Sequence, residues 1–180
     1  MHWEQRKLSG WGRTSSAVVP VCIPESVEDV SEAIVGSGNK TVLVVGASRS
    51  YGDTGVTSDG LGISTEKLNK ILSFDRKSGE VICEAGVTYR MLLEKFIDEG
   101  LVMPVTPGTS LVTVGGAIAN DVHGKNHDLA GSIGAHVNWI DIVGADGAVQ
   151  RVSRTVNSDI FDATVGGIGL TGAIVRASVT

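Results

Sequence analysis

Two glycine-rich segments hold the residues whose types and spacing could bind a ligand. The first, residues 44–54 (VVGASRSYGDT), follows an apolar run and offers small side chains and backbone N–H donors. The second, residues 107–127, contains the pair Gly115 and Gly116 followed by AIAN, which can begin a helix. Glycine lets the backbone approach a ligand closely, and the free N–H groups at a helix start attract anions. Two such segments predict a ligand with an extended phosphate-containing part.

Three further patterns are similar to known binding motifs but are incomplete. Residues 167–172 (GIGLTG) match the GxGxxG pattern of dinucleotide-binding folds, but the β-like run AIVRASVT follows instead of a helix. Residues 124–126 (GKN) resemble the end of a phosphate loop, but Ala119 occupies the place of its first glycine. His123 and His127 could share a helical face as metal ligands, but no Glu or Cys completes the set. We predict neither an ATPase nor a metal site.

The residues before the first segment predict the elements that position it. A short β-branched run at residues 17–23 is followed by Ser26 and Asp29 in the spacing of a capping box, which predicts a helix. The run TVLVV then predicts a second strand. A right-handed crossover would make the two strands parallel and place residues 46–54 at their carboxyl edge, where open α/β sheets bind ligands.

The rest of the chain predicts an α+β fold of two lobes. Residues 60–86 predict a meander of the short strands LGIS, KILSF and EVICEA, and residues 88–99 predict a helix that Gly100 ends. After the second glycine-rich segment, Asp146 and Gly147 predict a hairpin. We expect a small parallel β-α-β lobe over about residues 15–75 and a larger, mainly antiparallel β lobe with flanking helices over residues 76–180.

Composition excludes several classes of function. The chain has 180 residues and a net charge of −5, without a basic cluster interleaved with aromatic residues, so nucleic acid is not an expected partner. No export signal and no run of about 20 apolar residues is visible, which favours a cytoplasmic location by default. Cys22 and Cys83 lie far apart in strand-like runs, so we expect buried free thiols.

Five segments carry a resemblance to a known family: GWGRTSS, GASRSYGD, PVTPGTSLVTVGGAIANDVHGKNH, AGSIGAHV and ATVGGIGLTGAIVRASV. In this order and spacing they resemble the FAD-binding half of the vanillyl-alcohol-oxidase (PCMH-type) flavoproteins, especially the decaprenylphosphoryl-β-D-ribose 2-oxidases. Alditol and aldonolactone oxidases belong to the same group. The resemblance implies a PCMH-type FAD-binding domain over residues 1–180, in an oxidoreductase that oxidises the CH–OH group of a sugar or polyol.

The resemblance also implies what these 180 residues lack. The family's substrate domain and its catalytic lysine would lie beyond Thr180, so this chain is expected to bind FAD without completing catalysis alone. A sugar-type or lipid-linked sugar substrate would then bind through the missing domain. By the same resemblance, a membrane-associated or periplasmic location is an alternative to the cytoplasm.

Individual residues match the family's cofactor site. The loop that would wrap the FAD pyrophosphate consists of Gly46, Ala47, Ser48, Arg49, Ser50, Tyr51, Gly52, Asp53 and Thr54. The second wall, the flavin contacts and the adenine contact would come from Gly108, Thr113, Val114, Gly115, Gly116, Asn120, Asp121, Val122, His123 and Ile174. Tyr51 and His123 would lie nearest the isoalloxazine, and no residue is assigned a catalytic role. Several relatives bond the flavin to a histidine at the position of Arg49, so we expect FAD to be held non-covalently.

The residues alone leave alternatives open. The glycines can equally make turns, and the histidines can be ordinary hydrogen-bonded side chains. Besides the cofactor domain of an FAD-dependent oxidoreductase, the sequence permits a nucleotide-binding module without chemistry or an NAD-binding Rossmann domain. Flavin absorbance, turnover of a sugar or alcohol, and NAD binding distinguish the three.

Overall fold

The computed structural model describes residues 2–180 and shows a mixed α+β fold built on two β-sheets, as the sequence predicts. The strands are β1 (Glu4–Ser9), β2 (Ser16–Cys22), β3 (Thr41–Val45), β4 (Gly60–Ser64), β5 (Ile71–Asp75), β6 (Glu80–Glu84), β7 (Val137–Val143), β8 (Val149–Ser153) and β9 (Ala173–Val179). The helices are α1 (Val27–Gly36), α2 (Tyr89–Phe96), α3 (Val114–Ala119), α4 (His127–Ala130) and α5 (Ser158–Thr164). Short 3-10 turns lie at Ile97–Glu99 and Ile133–His136.

The first sheet has the order β1-β2-β4-β3. Strands β2, β4 and β3 are parallel to one another, and β1 is antiparallel to β2. Helix α1 joins β2 to β3 and begins with the predicted capping box. The Asp29 N–H donates to Ser26 Oγ at 3.1 Å, and the Ser26 N–H donates to Asp29 Oδ2 at 3.0 Å. Backbone hydrogen bonds, first that from Glu25, lower the pKa of Asp29, so the carboxylate that closes the cap is ionised at neutral pH.

One predicted strand lies in the other sheet. The run LGIS, expected in a meander with the two strands that follow, forms β4 and sits between β2 and β3. All five residues of β4 are buried, as is usual for a central parallel strand covered on both sides. A short apolar run does not reveal its partners, because pairing is decided by segments distant in sequence. The sheets therefore change between residues 64 and 71, whereas the lobe division at about residue 75 stays a prediction.

The second sheet is antiparallel and has the order β5-β6-β9-β7-β8. The predicted hairpin forms between β7 and β8, and Gly147 in its turn has a φ of 78°. The main core lies where this sheet meets α2, α3 and α5, around Leu92, Ile118 and Phe161. Strand β9 is the central strand of this sheet and begins immediately after residues 167–172. A strand, not a helix, therefore follows the GxGxxG pattern.

Cys22 and Cys83 are buried free thiols, as predicted. Burial raises the pKa of Cys22 to about 11 and that of Cys83 to about 12, so both stay protonated at neutral pH. None of the helices in residues 2–180 combines the length and apolar character needed to cross a membrane.

Candidate functional site

A cavity of about 270 Å³ brings the two glycine-rich segments together. The end of β3 and the loop after it form one wall, and α3 with the start of β9 forms the other. Of the residues predicted to bind the cofactor, those that line the cavity are Gly46, Ala47, Ser48, Arg49, Ser50, Tyr51, Thr54, Thr113, Gly115, Gly116, Asn120, Val122 and Ile174. Segments about 60 residues apart in the chain thus face each other across one space.

Six predicted site residues do not line this cavity: Gly52, Asp53, Gly108, Val114, Asp121 and His123. Val114 is buried in the core, and the Asp121 carboxylate accepts a hydrogen bond from the Gly134 N–H at 2.9 Å. His123 is exposed to solvent. A role for these residues in cofactor binding stays a prediction. The core contacts of Val114 and the hydrogen bond of Asp121 give each of these two side chains a structural role without a ligand.

Sequence reasoning missed about half of the cavity lining. The additional residues are Leu43, Val44, Val45, Gly55, Thr65, Ala85, Val112, Ala117, Ala119, Ile168, Gly169 and Gly172. Gly169 and Gly172 belong to the incomplete GxGxxG pattern of residues 167–172, so that pattern does indicate part of the cavity lining. The others are mainly small or apolar residues of β3, of α3 and of the connecting segments, and they carry no signature of a site in the sequence.

The loop after β3, which borders the cavity, contains backbone donors without a partner in the protein. Across the described chain, none of the N–H groups of residues 47–52 donates a hydrogen bond to another protein group. Ser48 and Gly52 have φ values of 54° and 62°, so the loop twice enters the left-handed region. Successive N–H groups in such a loop form a concave nest that suits an anion.

Helix α3 contradicts the prediction that its first N–H groups are free for an anion. It begins at Val114, earlier than AIAN, so the glycine pair lies within its first turn. The N–H groups of Val114 and Gly115 donate to the carbonyl oxygens of Val87 and Ala85 at 2.8 and 2.9 Å. Those of residues 116 and 117 donate to Oγ1 and the carbonyl oxygen of Thr113 at 3.1 and 2.8 Å. This turn forms a wall of the cavity and offers no spare donor.

Close packing explains two of the glycines in the wall. A Cβ at Gly115 would lie 2.7 Å from Ala85 Cβ, so no side chain fits between α3 and the chain after β6. A Cβ at Gly46 would collide with the Thr113 hydroxyl, so the two glycine-rich segments touch there. Gly115 therefore serves the contact of chain with chain, in addition to any contact with a ligand.

The cavity is almost free of ionisable side chains. In residues 2–180 its lining includes no Asp, Glu, His, Lys or Cys, and its one basic group is Arg49. The Arg49 guanidinium lies over the Trp11 ring at 5.2 Å from the centroid. Tyr51 is 79% exposed at the rim. Anion binding here would rest on backbone dipoles and one guanidinium, without a competing carboxylate.

The two histidines of the second segment lie outside the cavity. The His123 and His127 rings are 5.8 Å apart between centroids, and His123 precedes α4, so the pair does not share a helical face. The His127 ring contacts the Gly124 carbonyl oxygen and the Asp128 carboxylate, each at 3.1 Å. Across the part of the chain that the structure describes, no three His, Cys, Asp or Glu side chains cluster as metal ligands.

Comparison with known proteins shows the family to which the chain belongs. A family model described as an FAD binding domain matches residues 19–153. The chain is 42% identical to decaprenylphosphoryl-beta-D-ribose oxidase of Mycolicibacterium smegmatis over 178 residues, which is 97% of this chain and 39% of the relative. It is 33% identical to L-gulonolactone oxidase of Mus musculus, over 87% of this chain and 36% of the relative. It is also 25% identical to a putative D-arabinono-1,4-lactone oxidase of Neurospora crassa, over 93% of this chain and 30% of the relative.

The match covers nearly all of this chain but about two fifths or less of each of these relatives. The family model includes the loop after β3 and helix α3, which are the two walls of the cavity. The free N–H groups of the loop suit the phosphates of FAD, and the small residues of α3 leave room for a ligand against the wall. This chain is a member of the FAD binding domain family.

Proposed function

We propose that this chain is the cofactor domain of an oxidoreductase and that residues 47–52 bind the FAD pyrophosphate. The observation that carries the proposal is the run of six backbone N–H groups without protein partners, all in a loop that borders the cavity. A pyrophosphate supplies acceptors for several of these donors at once, and hydrogen bonds to a charged acceptor are about twice as strong as neutral ones. The opposite wall contributes shape through Gly116 and Asn120.

The remaining parts of FAD would extend from this centre between a parallel and an antiparallel lobe. A cavity of about 270 Å³ is slightly below the range of about 300–1,000 Å³ for sites that enclose a drug-sized ligand. It therefore suits the middle of an extended dinucleotide better than the whole molecule. Ile174 would contact the adenine end, and Tyr51 and His123 would lie towards the isoalloxazine. Ile174 and Tyr51 line the cavity, which supports their part of the assignment.

Bound FAD would accept the electrons in the oxidation of a CH–OH group, and the protein would position the flavin. The names of the relatives point to sugar-type substrates, since they are oxidases of a decaprenylphosphoryl ribose and of sugar lactones. We place the substrate pocket and the proton-accepting group in the part of the full protein that residues 1–180 do not span. The cavity supports this division, because no carboxylate, histidine or lysine from residues 2–180 lines it.

FAD would be held non-covalently. Arg49 stands at the position where several relatives carry the linking histidine, and its guanidinium is directed onto the Trp11 ring. After acid precipitation of the holoprotein, all flavin absorbance should remain in the supernatant. Flavin that stays in the washed pellet would contradict this assignment.

Titration with cofactor fragments tests the proposed site directly. FAD and ADP should both bind, because both carry an adenosine diphosphate part. NAD carries the same part and should compete about as well as ADP but less well than FAD, whose isoalloxazine ring it lacks. Binding is measured by the quenching of flavin fluorescence and by displacement of FAD. If the protein binds FAD but not ADP, the proposal that residues 47–52 bind the pyrophosphate is wrong.

A further inference from the structure

We propose that Gly10 and Trp11, the N-terminal brace, position the loop of residues 47–52 for the cofactor. The brace lies between β1 and β2 and outside the segment that the family model matches. The Trp11 backbone N–H donates to the Ser50 carbonyl oxygen at 2.8 Å. The Arg49 guanidinium lies over the Trp11 ring, with its Cζ atom 5.2 Å from the ring centroid. The brace therefore holds two consecutive residues of the loop, one by its backbone and one by its side chain.

Gly10 brings the brace into direct contact with the loop. It is buried, and a Cβ there would lie 2.5 Å from the Gly52 carbonyl oxygen and 2.9 Å from the Ser50 carbonyl oxygen. Both neighbours are backbone atoms, so a side chain at residue 10 cannot be accommodated by rotation of a neighbouring side chain. Any larger residue at this position must displace the loop or the brace.

The loop needs external support because it has little of its own. Its N–H groups from residue 47 to 52 make no hydrogen bond within the described chain, and Ser48 is held at a φ of 54°, which non-glycine residues seldom adopt. A loop that must order itself on binding weakens affinity, whereas a pre-organised loop does not. This inference rests on the proposed function, in which these N–H groups bind the pyrophosphate. Under it, the carbonyl side of the loop is anchored by the brace while the N–H side stays free for FAD.

The matched variants are Gly10→Ala and Gly12→Ala. A Cβ at Gly12 would meet only Thr14 Cγ2 at 3.8 Å, an ordinary contact, and Gly12 does not border the cavity. The bound flavin is first removed by dilution. Dissociation constants are then measured by adding FAD or ADP back to the flavin-free protein. Gly10→Ala should weaken both about tenfold to a hundredfold, the effect of losing one hydrogen bond to a charged acceptor. Gly12→Ala should bind both as the parent protein does.

A second pair of variants tests the side-chain contact. Trp11→Leu removes the ring beneath Arg49 but keeps the backbone N–H, and Trp11→Phe retains an aromatic face. Trp11→Leu should weaken FAD binding about two- to fivefold, the usual size of an exposed cation–π contact. Trp11→Phe should restore most of that loss, which a simple packing role for the indole would not predict.

The outcomes separate the inference from the function on which it rests. Parent-like affinity in both Gly10→Ala and Trp11→Leu would overturn the brace. A second result would also overturn it: Gly10→Ala lowers the melting temperature of the flavin-free protein enough to explain its whole loss of affinity, and Trp11→Leu binds FAD as the parent does. Absence of ADP binding in the parent protein would instead reject the pyrophosphate site, whatever the variants show. Weaker FAD and ADP binding at an unchanged flavin-free melting temperature is the expected result.

Discussion

The two glycine-rich segments border the same cavity but use their backbones in opposite ways. In residues 47–52 no N–H group has a partner within the described chain, whereas all four N–H groups of residues 114–117 are bonded to the protein. Gly52 lies in the left-handed region, and Gly115 is packed against Ala85. The loop of residues 47–52 can therefore donate to a ligand, whereas the backbone N–H groups of residues 114–117 hold a wall of the cavity in place.

This difference shows that glycine content alone does not identify an anion site. Glycine appears where a turn needs a positive φ, where a ligand approaches the backbone, or where another part of the chain does. The quantity that distinguishes these cases is the number of backbone donors left without a partner. By that measure, the loop after β3 is the binding element and the first turn of α3 is part of the scaffold.

Hydrogen exchange should reveal the contrast most strongly. The amides of residues 47–52 should exchange fast in the flavin-free protein, because nothing in the described chain bonds them. At FAD concentrations of about a hundred times the dissociation constant, they should slow by about a hundredfold. The amides of residues 114–117 should be protected in both states. Equal protection of both segments, with or without FAD, would contradict the proposed difference between their backbone donors.

Filling the contact between α3 and Ala85 tests the structural role of the second segment. Gly115→Ala places a Cβ 2.7 Å from Ala85 Cβ, and overpacking of this kind destabilises a core by about 1–3 kcal/mol. The free energy of unfolding of the flavin-free protein should fall by that amount, as measured in urea. The control is Gly36→Ala, at the end of α1, where an added Cβ meets nothing within 4 Å. A Gly115→Ala variant as stable as the control would show that the position is reserved for a ligand.

Removing the cap of α3 should have a smaller effect on stability. Thr113 Oγ1 accepts from the Gly116 N–H at 3.1 Å, and replacing such a cap by alanine destabilises by about 1 kcal/mol. Thr113→Ala should lower the urea midpoint of the flavin-free protein, and the Gly116 amide should exchange faster. Thr113→Ser keeps the acceptor and should retain most of the stability. An unchanged Gly116 amide in Thr113→Ala would mean that this donor is not bonded to the hydroxyl.

The smallest effect is expected from pH. Within residues 2–180 no Asp, Glu, His, Lys or Cys borders the cavity, and backbone N–H donors do not titrate. FAD affinity should therefore change less than about twofold between about pH 6 and 8. Flavin fluorescence titrations across that range provide the measurement. A clear change of affinity across that range would instead show that a titrating side chain outside the cavity lining contributes to FAD binding.

Much of the fold follows from local patterns in the sequence. The Ser26–Asp29 capping box, the hairpin at Gly147 and the helix end at Gly100 all appear where they are predicted, because each depends on residues within a few positions of one another. The ordered set of matching segments likewise indicates the FAD binding family and the loop after β3 without any coordinates. These features were determined by the amino-acid sequence itself.

Tertiary structure decided which of the predicted donors remain free. The acceptors of the Val114 and Gly115 N–H groups belong to residues 87 and 85, which follow β6 and lie beside α3 only in the folded chain. The placement of β4 between β2 and β3, and the contact of Gly10 with Gly52, are likewise pairings between distant segments. A glycine or an apolar run looks the same in the sequence whether its neighbour is a ligand, a strand or a loop. Only the folded chain distinguishes them, because hydrogen-bond partners and close contacts are chosen in space.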